Sequence, residues 1–210
     1  MDVWSPKYIS MRDSTRRTTT KDAILDATDK LLGKHGYKKM TIDDLARAVG
    51  IGKGSVYLHF KSKEDIALSH VDRIIERLKY RLREIGSSKA SCENRITRML
   101  VERVLFRVDS VQHYSQSLNE LLAHVRAPLL DRRERYFEEE ARIFAQVLEE
   151  GECSGVFMIG DSVEKARILL LATNSLLPYS LSARELGERK QIEQKIRRLA
   201  ALLLQGLMKR

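Results

Sequence analysis

The stretch from Ile51 to Lys63 carries side chains suited to binding a polyanion. These thirteen residues include no aspartate or glutamate, although the chain of 210 residues has 29 acidic residues. On a helix through this stretch, the outward positions present cationic, hydroxyl, ring and apolar groups: Lys53, Ser55, Tyr57, Leu58, His59 and Lys61. Cations and hydroxyls bind phosphate oxygens, and polar side chains read base edges. The stretch therefore predicts a helix that faces DNA.

Positive charge is concentrated at the N-terminal end of the chain. The formal charge is +9 overall, and residues 1–63 hold thirteen Lys and Arg against seven Asp and Glu. The remaining residues hold 25 against 22. Since neutralising phosphates releases counterions, a basic region favours a polyanion such as DNA. A solvated basic surface has the same pattern, and charge alone leaves both interpretations open.

Two short helices separated by a glycine turn are predicted to position these side chains. The first helix begins after Thr41, an N-cap residue type, and Gly50 ends it after about two turns. A second short helix is predicted over 54–60. In a helix-turn-helix, small and apolar residues hold the two helices together, and here these are Ala46, Val49, Ile51 and Val56.

The rest of the chain is helical in pattern, and glycine and proline are sparse, which argues against disorder and turn-rich all-β folds. A first helix is predicted over 21–35, with Thr20 as its N-cap and Gly36 as its stop, and a long helix runs from Ser62 to Gly86 and bridges two domains. Beyond a loop at 86–91, five helices are predicted: about 93–108, 111–125, 128–150 opening at Pro128, 162–177 and 188–208.

The residues from Thr41 to Glu64, TIDDLARAVGIGKGSVYLHFKSKE, resemble the signature of the tetracycline-repressor (TetR) family of transcription factors over 24 positions. The resemblance implies that Thr41 caps its helix on a phosphate and that Lys63 contacts phosphate from the start of the next helix. It also implies that five positions of the second helix contact phosphates and bases: Lys53, Gly54, Ser55, Tyr57 and His59. Gly52 departs from the family, which more often has Ser or Asn there.

Other interpretations of these residues stay open. Tyr57 fits a half-buried aromatic as well, and His59 fits a solvated surface position. Phe60 is predicted to lie in the core, because it shares a helix face with Val56. Arg16 and Arg17 suit a basic arm that enters the minor groove, or a solubilising tail.

The resemblance implies an all-α architecture: a flexible arm at 1–20, a three-helix helix-turn-helix DNA-binding domain at 21–66, and a larger C-terminal ligand-binding and dimerisation domain at 67–210. A small-molecule effector in a C-terminal cavity would then release a palindromic operator. Five residues are candidates for ligand contact: Met99, Arg103, Phe106, Tyr114 and Phe144. If Arg103 is buried, its guanidinium favours an anionic or carboxylate ligand. The alternative is an arginine at the edge of an apolar stripe with its head group in water.

Two apolar segments near the C-terminus predict a subunit interface. The run from Ala166 to Leu177 is apolar almost all round, and a second helix carries an apolar stripe: Ile192, Ile196, Leu199, Leu203 and Leu207. These helices and their copies in a partner subunit would form a four-helix bundle. The two recognition helices would then meet successive major grooves of double-stranded DNA.

Two other function classes stay open, an all-helical enzyme and an interaction module or membrane-surface protein. The sequence shows no nucleophile-base pair, phosphate loop or metal-ligand cluster, so neither catalysis nor a metal or other cofactor is predicted. Cys92 and Cys153 are expected to be reduced structural thiols. With neither an export signal nor a membrane span, a cytoplasmic protein without membrane association is expected.

Overall fold

The computed structural model of the chain describes residues 19–178 and 187–208, apart from the side chains of residues 113 and 115–118. Within these ranges the chain is all-α, as the sequence predicts, and contains no β-strand. Short 3-10 helices cover Gln112–Tyr114 and Asn174–Leu176. The α-helices described are α1 (Thr20–Lys39), α2 (Ile42–Val49), α3 (Lys53–His59), α4 (Lys63–Gly86), α5 (Cys92–Val111), α6 (Ser115–Cys153), α7 (Ser162–Thr173) and α8 (Arg189–Gln205).

The start of α1 lies one residue before the predicted one. Thr19 is the N-cap rather than Thr20, because Thr19 and Asp22 form a reciprocal capping box, in which the Thr19 hydroxyl oxygen accepts from the Asp22 amide at 3.1 Å. Near the other end, Gly36 has φ +73° and kinks the helix, so the predicted stop at Gly36 is confirmed, with a short helical extension beyond it. The predicted arm, with Arg16 and Arg17, lies outside the described residues.

Two apolar cores lie along α4. The first core fills the space between α1, α2, α3, the start of α4 and the first part of α6, and its fully buried members include Ile24, Leu45, Val56 and Ile66. The second core lies between α4, α5, α6, α7 and α8 and includes Leu78 and Leu82 of α4. The long helix α4 therefore contributes residues to both cores.

The region from 111 to 153 corrects the prediction of two helices with Pro128 opening the second. One helix of 39 residues, α6, runs through Pro128 without a break. An internal proline costs a helix about 3 kcal/mol. Here tertiary contacts stabilise the helix on both sides of Pro128. Leu121 and Val125 are buried in the first core, and Phe144 and Leu148 are buried in the second.

The C-terminal stripe also has a different role from the predicted one. Ile192 and Ile196 are buried within the same chain, in the second core, together with Ala200 and Leu204. Periodicity shows that a helix face is apolar but does not reveal which surface covers it. The large apolar side chains that α7 and α8 leave exposed are Leu202 and, within the apolar run from Ala166 to Leu177, Ile168 and Leu171.

Candidate DNA-binding surface and ligand cavity

Both ends of α2 are fixed by local hydrogen bonds. The amide of Asp44 donates to the hydroxyl oxygen of Thr41 at 3.1 Å, and the Asp44 carboxylate reaches back to the Thr41 amide at 3.2 Å. At the other end of α2, Gly50 has φ +75°, a conformation that L side chains rarely adopt, and the Ile51 amide donates to the Ala46 carbonyl at 3.0 Å. The chain is thereby turned so that α3 starts at Lys53.

α3 has a sharply divided surface. Val56 and Phe60 are buried in the first core. On the opposite side, Tyr57 is 50% exposed and Leu58 is 84% exposed. A side chain added at Gly54 would meet no atom within 4 Å, so the backbone of α3 can be approached closely there. This outer surface is open to solvent.

The cations at the two ends of this surface are held in place by neighbouring groups. The ammonium of Lys53 donates to the carboxylate of Asp43 at 2.9 Å, and this hydrogen bond raises the pKa of Lys53. Lys63 lies 4.3 Å above the ring centroid of Tyr37 and donates to the carbonyl of Lys38 at 3.3 Å. Partial burial lowers the pKa of Lys63. Contacts within the chain therefore position both cations.

The predicted DNA-contacting residues lie at the start of α2, on α3 and at the start of α4. Lys53, Gly54, Tyr57 and His59 are exposed on α3, Ser55 is half-buried on its flank, Thr41 caps α2 and Lys63 begins α4. The sequence predicts an outward position for Leu58 but no DNA contact of its own. Leu58 is the most exposed of the large apolar side chains in the described part of the protein, and such a side chain suits the methyl group of thymine.

A cavity of about 390 Å³ lies between α4, α5 and α6, in the size range of small-molecule sites. Its apolar walls are formed by aliphatic and aromatic side chains, among them Val71, Ile74, Leu122, Leu129 and Phe137. Polar groups converge on it as well, including Asn119, Tyr136 and Asn174.

The five predicted ligand contacts are divided by the structure. Arg103 and Tyr114 line the cavity. Met99 and Phe144 are fully buried in the second core instead, and Phe106 lies half-buried with its ring 5.0 Å from the Arg81 guanidinium. Helical periodicity assigns all five to inward faces, yet it does not separate the part of a face that meets neighbouring helices from the part that meets empty space.

Arg103 is buried, at 2% exposure, so the alternative of a head group in water is wrong. Its guanidinium donates to the Glu140 carboxylate at 2.8 Å, to the Thr173 hydroxyl at 3.0 Å and to the Asn174 side chain at 2.8 Å. Arg107 donates to the other oxygen of Glu140. Burial alone would raise the pKa of Glu140, but the two guanidiniums reverse this and lower it. The buried guanidinium of Arg103 therefore has a carboxylate partner, which it shares with Arg107.

Residues of the cavity wall also belong to the first core. Leu121 of α6 lines the cavity and is buried against the α1–α3 unit, and Tyr114 does the same. The hydroxyl of Tyr114 lies 3.4 Å from Nε2 of His70, and this nitrogen lies 3.4 Å from the carboxylate of Asp29 in α1. A continuous chain of contacts therefore leads from the cavity to α1.

Residues 24–69 match the model of a family described as bacterial regulatory proteins, tetR family. A fatty acid metabolism regulator protein of Bacillus subtilis is 31% identical over 70 residues, which are 31% of this chain and 36% of that protein, so the chain spans about a third of its length there. The HTH-type transcriptional repressor KstR2 of Rhodococcus jostii is 28% identical over 158 residues, 73% of this chain and 76% of that protein. A TetR transcription regulator from Haloarcula marismortui has the same fold, with a TM-score of 0.69 at 21% identity, covering 90% of this chain and 98% of that one.

Proposed function

We propose that this chain is a repressor of the tetR family of bacterial regulatory proteins and that a small molecule controls it. Residues 21–66 bind a palindromic operator in double-stranded DNA, and residues 67–210 bind the effector and a second copy of the chain. The protein acts inside the cell, where its operator lies. Effector binding lowers operator affinity.

The observation that carries DNA binding is the divided surface of α3. A helix whose inner residues are buried while its outer residues are cationic, hydroxylated or aromatic can enter the major groove without unfolding. Lys53 and Lys63 would bind phosphates, and Tyr57 and Leu58 would reach base edges. On binding DNA, the Lys53 ammonium would leave the Asp43 carboxylate and contact a phosphate instead.

Dimerisation is supported by the apolar side chains that α7 and α8 leave exposed. Ile168, Leu171 and Leu202 are 43%, 58% and 67% exposed in the single chain. Covering them with the same surface of a second copy would remove this apolar area from water. A two-fold dimer also presents two copies of α3, which is what a palindromic operator requires.

Effector response is supported by the residues that the cavity shares with the first core. A ligand that displaces Tyr114 or Leu121 must also displace side chains packed against α1. Since packed interiors resist continuous deformation, a small shift at the cavity wall is expected to move the α1–α3 unit as a body.

An electrophoretic retardation assay on the DNA flanking the gene tests the DNA-binding surface. We expect Tyr57→Ala to weaken binding by about tenfold or more, because one base or phosphate contact is lost. Lys63→Ala should weaken binding to all DNA sequences. It should also reduce the slope of log affinity against log salt concentration by about one, because one phosphate contact is lost. Tyr80→Ala is the matched control, because Tyr80 is also an exposed tyrosine but lies on α4. Unchanged affinity in both Tyr57→Ala and Lys63→Ala would overturn the assignment.

A further inference from the structure

The cavity lining has an excess of positive charge. Among the described residues that line it, four are arginines, Arg103, Arg107, Arg126 and Arg133, whereas Glu140 is the one carboxylate. Guanidinium groups around a partly enclosed apolar space attract anions and oppose cations, because low-dielectric walls strengthen the field inside. The chemistry of the lining therefore sets the sign of the charge that the cavity accepts.

The four arginines fall into two pairs with different surroundings. Arg103 and Arg107 are buried, and both donate to Glu140, so this pair forms an internal ion cluster that ties α5 to α6. Arg126 and Arg133 are exposed to solvent although they line the cavity, which places them at its mouth. An entering ligand meets this second pair first.

The second pair belongs to a regular line along α6. Asn119, Arg126, Arg133 and Glu140 follow one another at intervals of seven residues, and all four line the cavity. Seven residues correspond to two helical turns, or about 10 Å along the axis. Leu122 and Leu129, also seven apart, line the cavity beside this row. The space therefore follows α6 lengthwise, with polar groups in one row and apolar walls next to it.

We propose that the cavity binds an elongated amphipathic anion, whose carboxylate or phosphate group is held by Arg126 and Arg133 at the mouth and whose apolar body lies against Ile74, Leu122 and Phe137. Guanidinium groups bind both kinds of oxyanion in a forked geometry, and aliphatic walls bind the apolar part by excluding water. This inference rests on the proposed function in treating the cavity as the effector site. The sequence analysis assigns the anionic group to Arg103 of α5, whereas this proposal assigns it to Arg126 and Arg133 of α6.

Calorimetric titration of the full chain with three probes that share one alkyl chain tests the proposal. The probes are dodecanoate, dodecyl phosphate and dodecanol. At least one of the two anions should bind about tenfold or more tightly than the alcohol. Comparison of dodecanoate with dodecyl phosphate then identifies the oxyanion that the cavity prefers.

Variants place the anion at the mouth of the cavity. Arg126→Gln should lower the affinity for the preferred anion by about tenfold and leave dodecanol binding unchanged, and Arg126→Lys should restore part of the loss. Arg142→Gln is the matched control, because Arg142 is an exposed arginine of α6 outside the cavity lining and its loss should change neither affinity. Arg133→Gln provides an independent second variant. Thermal unfolding of each variant checks that the fold is intact.

Two results would overturn the proposal: dodecanol binding as tightly as both anions, or an anion preference that survives Arg126→Gln and Arg133→Gln. Repeating the retardation assay with each probe separates this proposal from the function on which it rests. Release of DNA by dodecanol and the anions alike would keep effector control and remove the charge preference. Arg126-dependent anion binding without release of DNA would keep the ligand class and remove effector control.

Discussion

The DNA-facing surface and the ligand cavity are built in opposite ways. The DNA-facing surface comes from one continuous segment, Thr41 to Lys63, whose outer side chains are exposed and whose shape is fixed by local caps and turns. The cavity is built from residues between Val71 and Pro178, on three long helices and their connections. Local sequence determines the first, whereas only the packing of distant segments determines the second.

This difference predicts different consequences of substitution. Outer side chains of α3 have few neighbours and should be replaceable without loss of stability. Polar residues of the cavity wall that are buried in ion pairs should be far less replaceable, because their partners would be left charged in an apolar interior.

The largest effect is expected at Glu140. Glu140→Gln keeps the shape of the side chain but leaves Arg103 and Arg107 without their buried counter-charge. The free energy of unfolding should fall by about 3–5 kcal/mol, measured by urea denaturation followed by circular dichroism. Glu134→Gln, at an exposed position of the same helix, should change it by less than about 0.5 kcal/mol. Equal effects of the two substitutions would contradict the contrast between buried and exposed polar groups.

A smaller effect is expected at Thr41, where a local cap rather than a buried network is removed. Thr41→Ala abolishes the hydrogen bond from the Asp44 amide and should lower the free energy of unfolding by about 1 kcal/mol. Thr41→Asn should retain stability, because asparagine is an equally good N-cap residue. The same denaturation experiment measures both, and a Thr41→Ala variant as stable as the original chain would show that the cap contributes nothing.

The smallest effect is expected at Gly52, the N-cap of α3, which offers no side-chain hydrogen bond. Its φ of −72° suits any residue, and an added side chain would meet no atom within 4 Å. Gly52→Ser should therefore raise the free energy of unfolding by a few tenths of a kcal/mol. Gly50→Ser is the control, and its positive φ should make that variant less stable by about 1 kcal/mol. A Gly52→Ser variant less stable than the original chain would contradict the assignment of this cap.

Most helix positions and turns could be predicted because their signals are local. Thr41, Gly36 and Gly50 act through the backbone within four residues of themselves, so the sequence alone identifies them. Pro128 misled the prediction, because whether a helix survives an internal proline depends on packing along both halves.

Most residues that line the cavity could not be predicted from the sequence, because they come from distant segments. Arg103 could be placed on an apolar face, but its partner Glu140 is 37 residues away and on another helix. Taken singly, neither Arg126 nor Arg133 predicts a position in the cavity lining. The seven-residue row with Asn119 and Glu140 was present in the sequence, yet it marks a cavity only once α4 and α5 are seen to leave space beside it.

The cavity wall that is shared with the first core has a thermodynamic consequence. If a ligand lying against Tyr114 and Leu121 lowers the affinity for an operator by some factor, linkage requires the operator to lower the affinity for that ligand by the same factor. Ligand affinities measured without DNA would then overstate occupancy of the repressor bound at its operator. The concentration of ligand needed for release would rise with the affinity of the operator. Operators of different sequence would then be released by the same protein at different ligand concentrations, the weakest first.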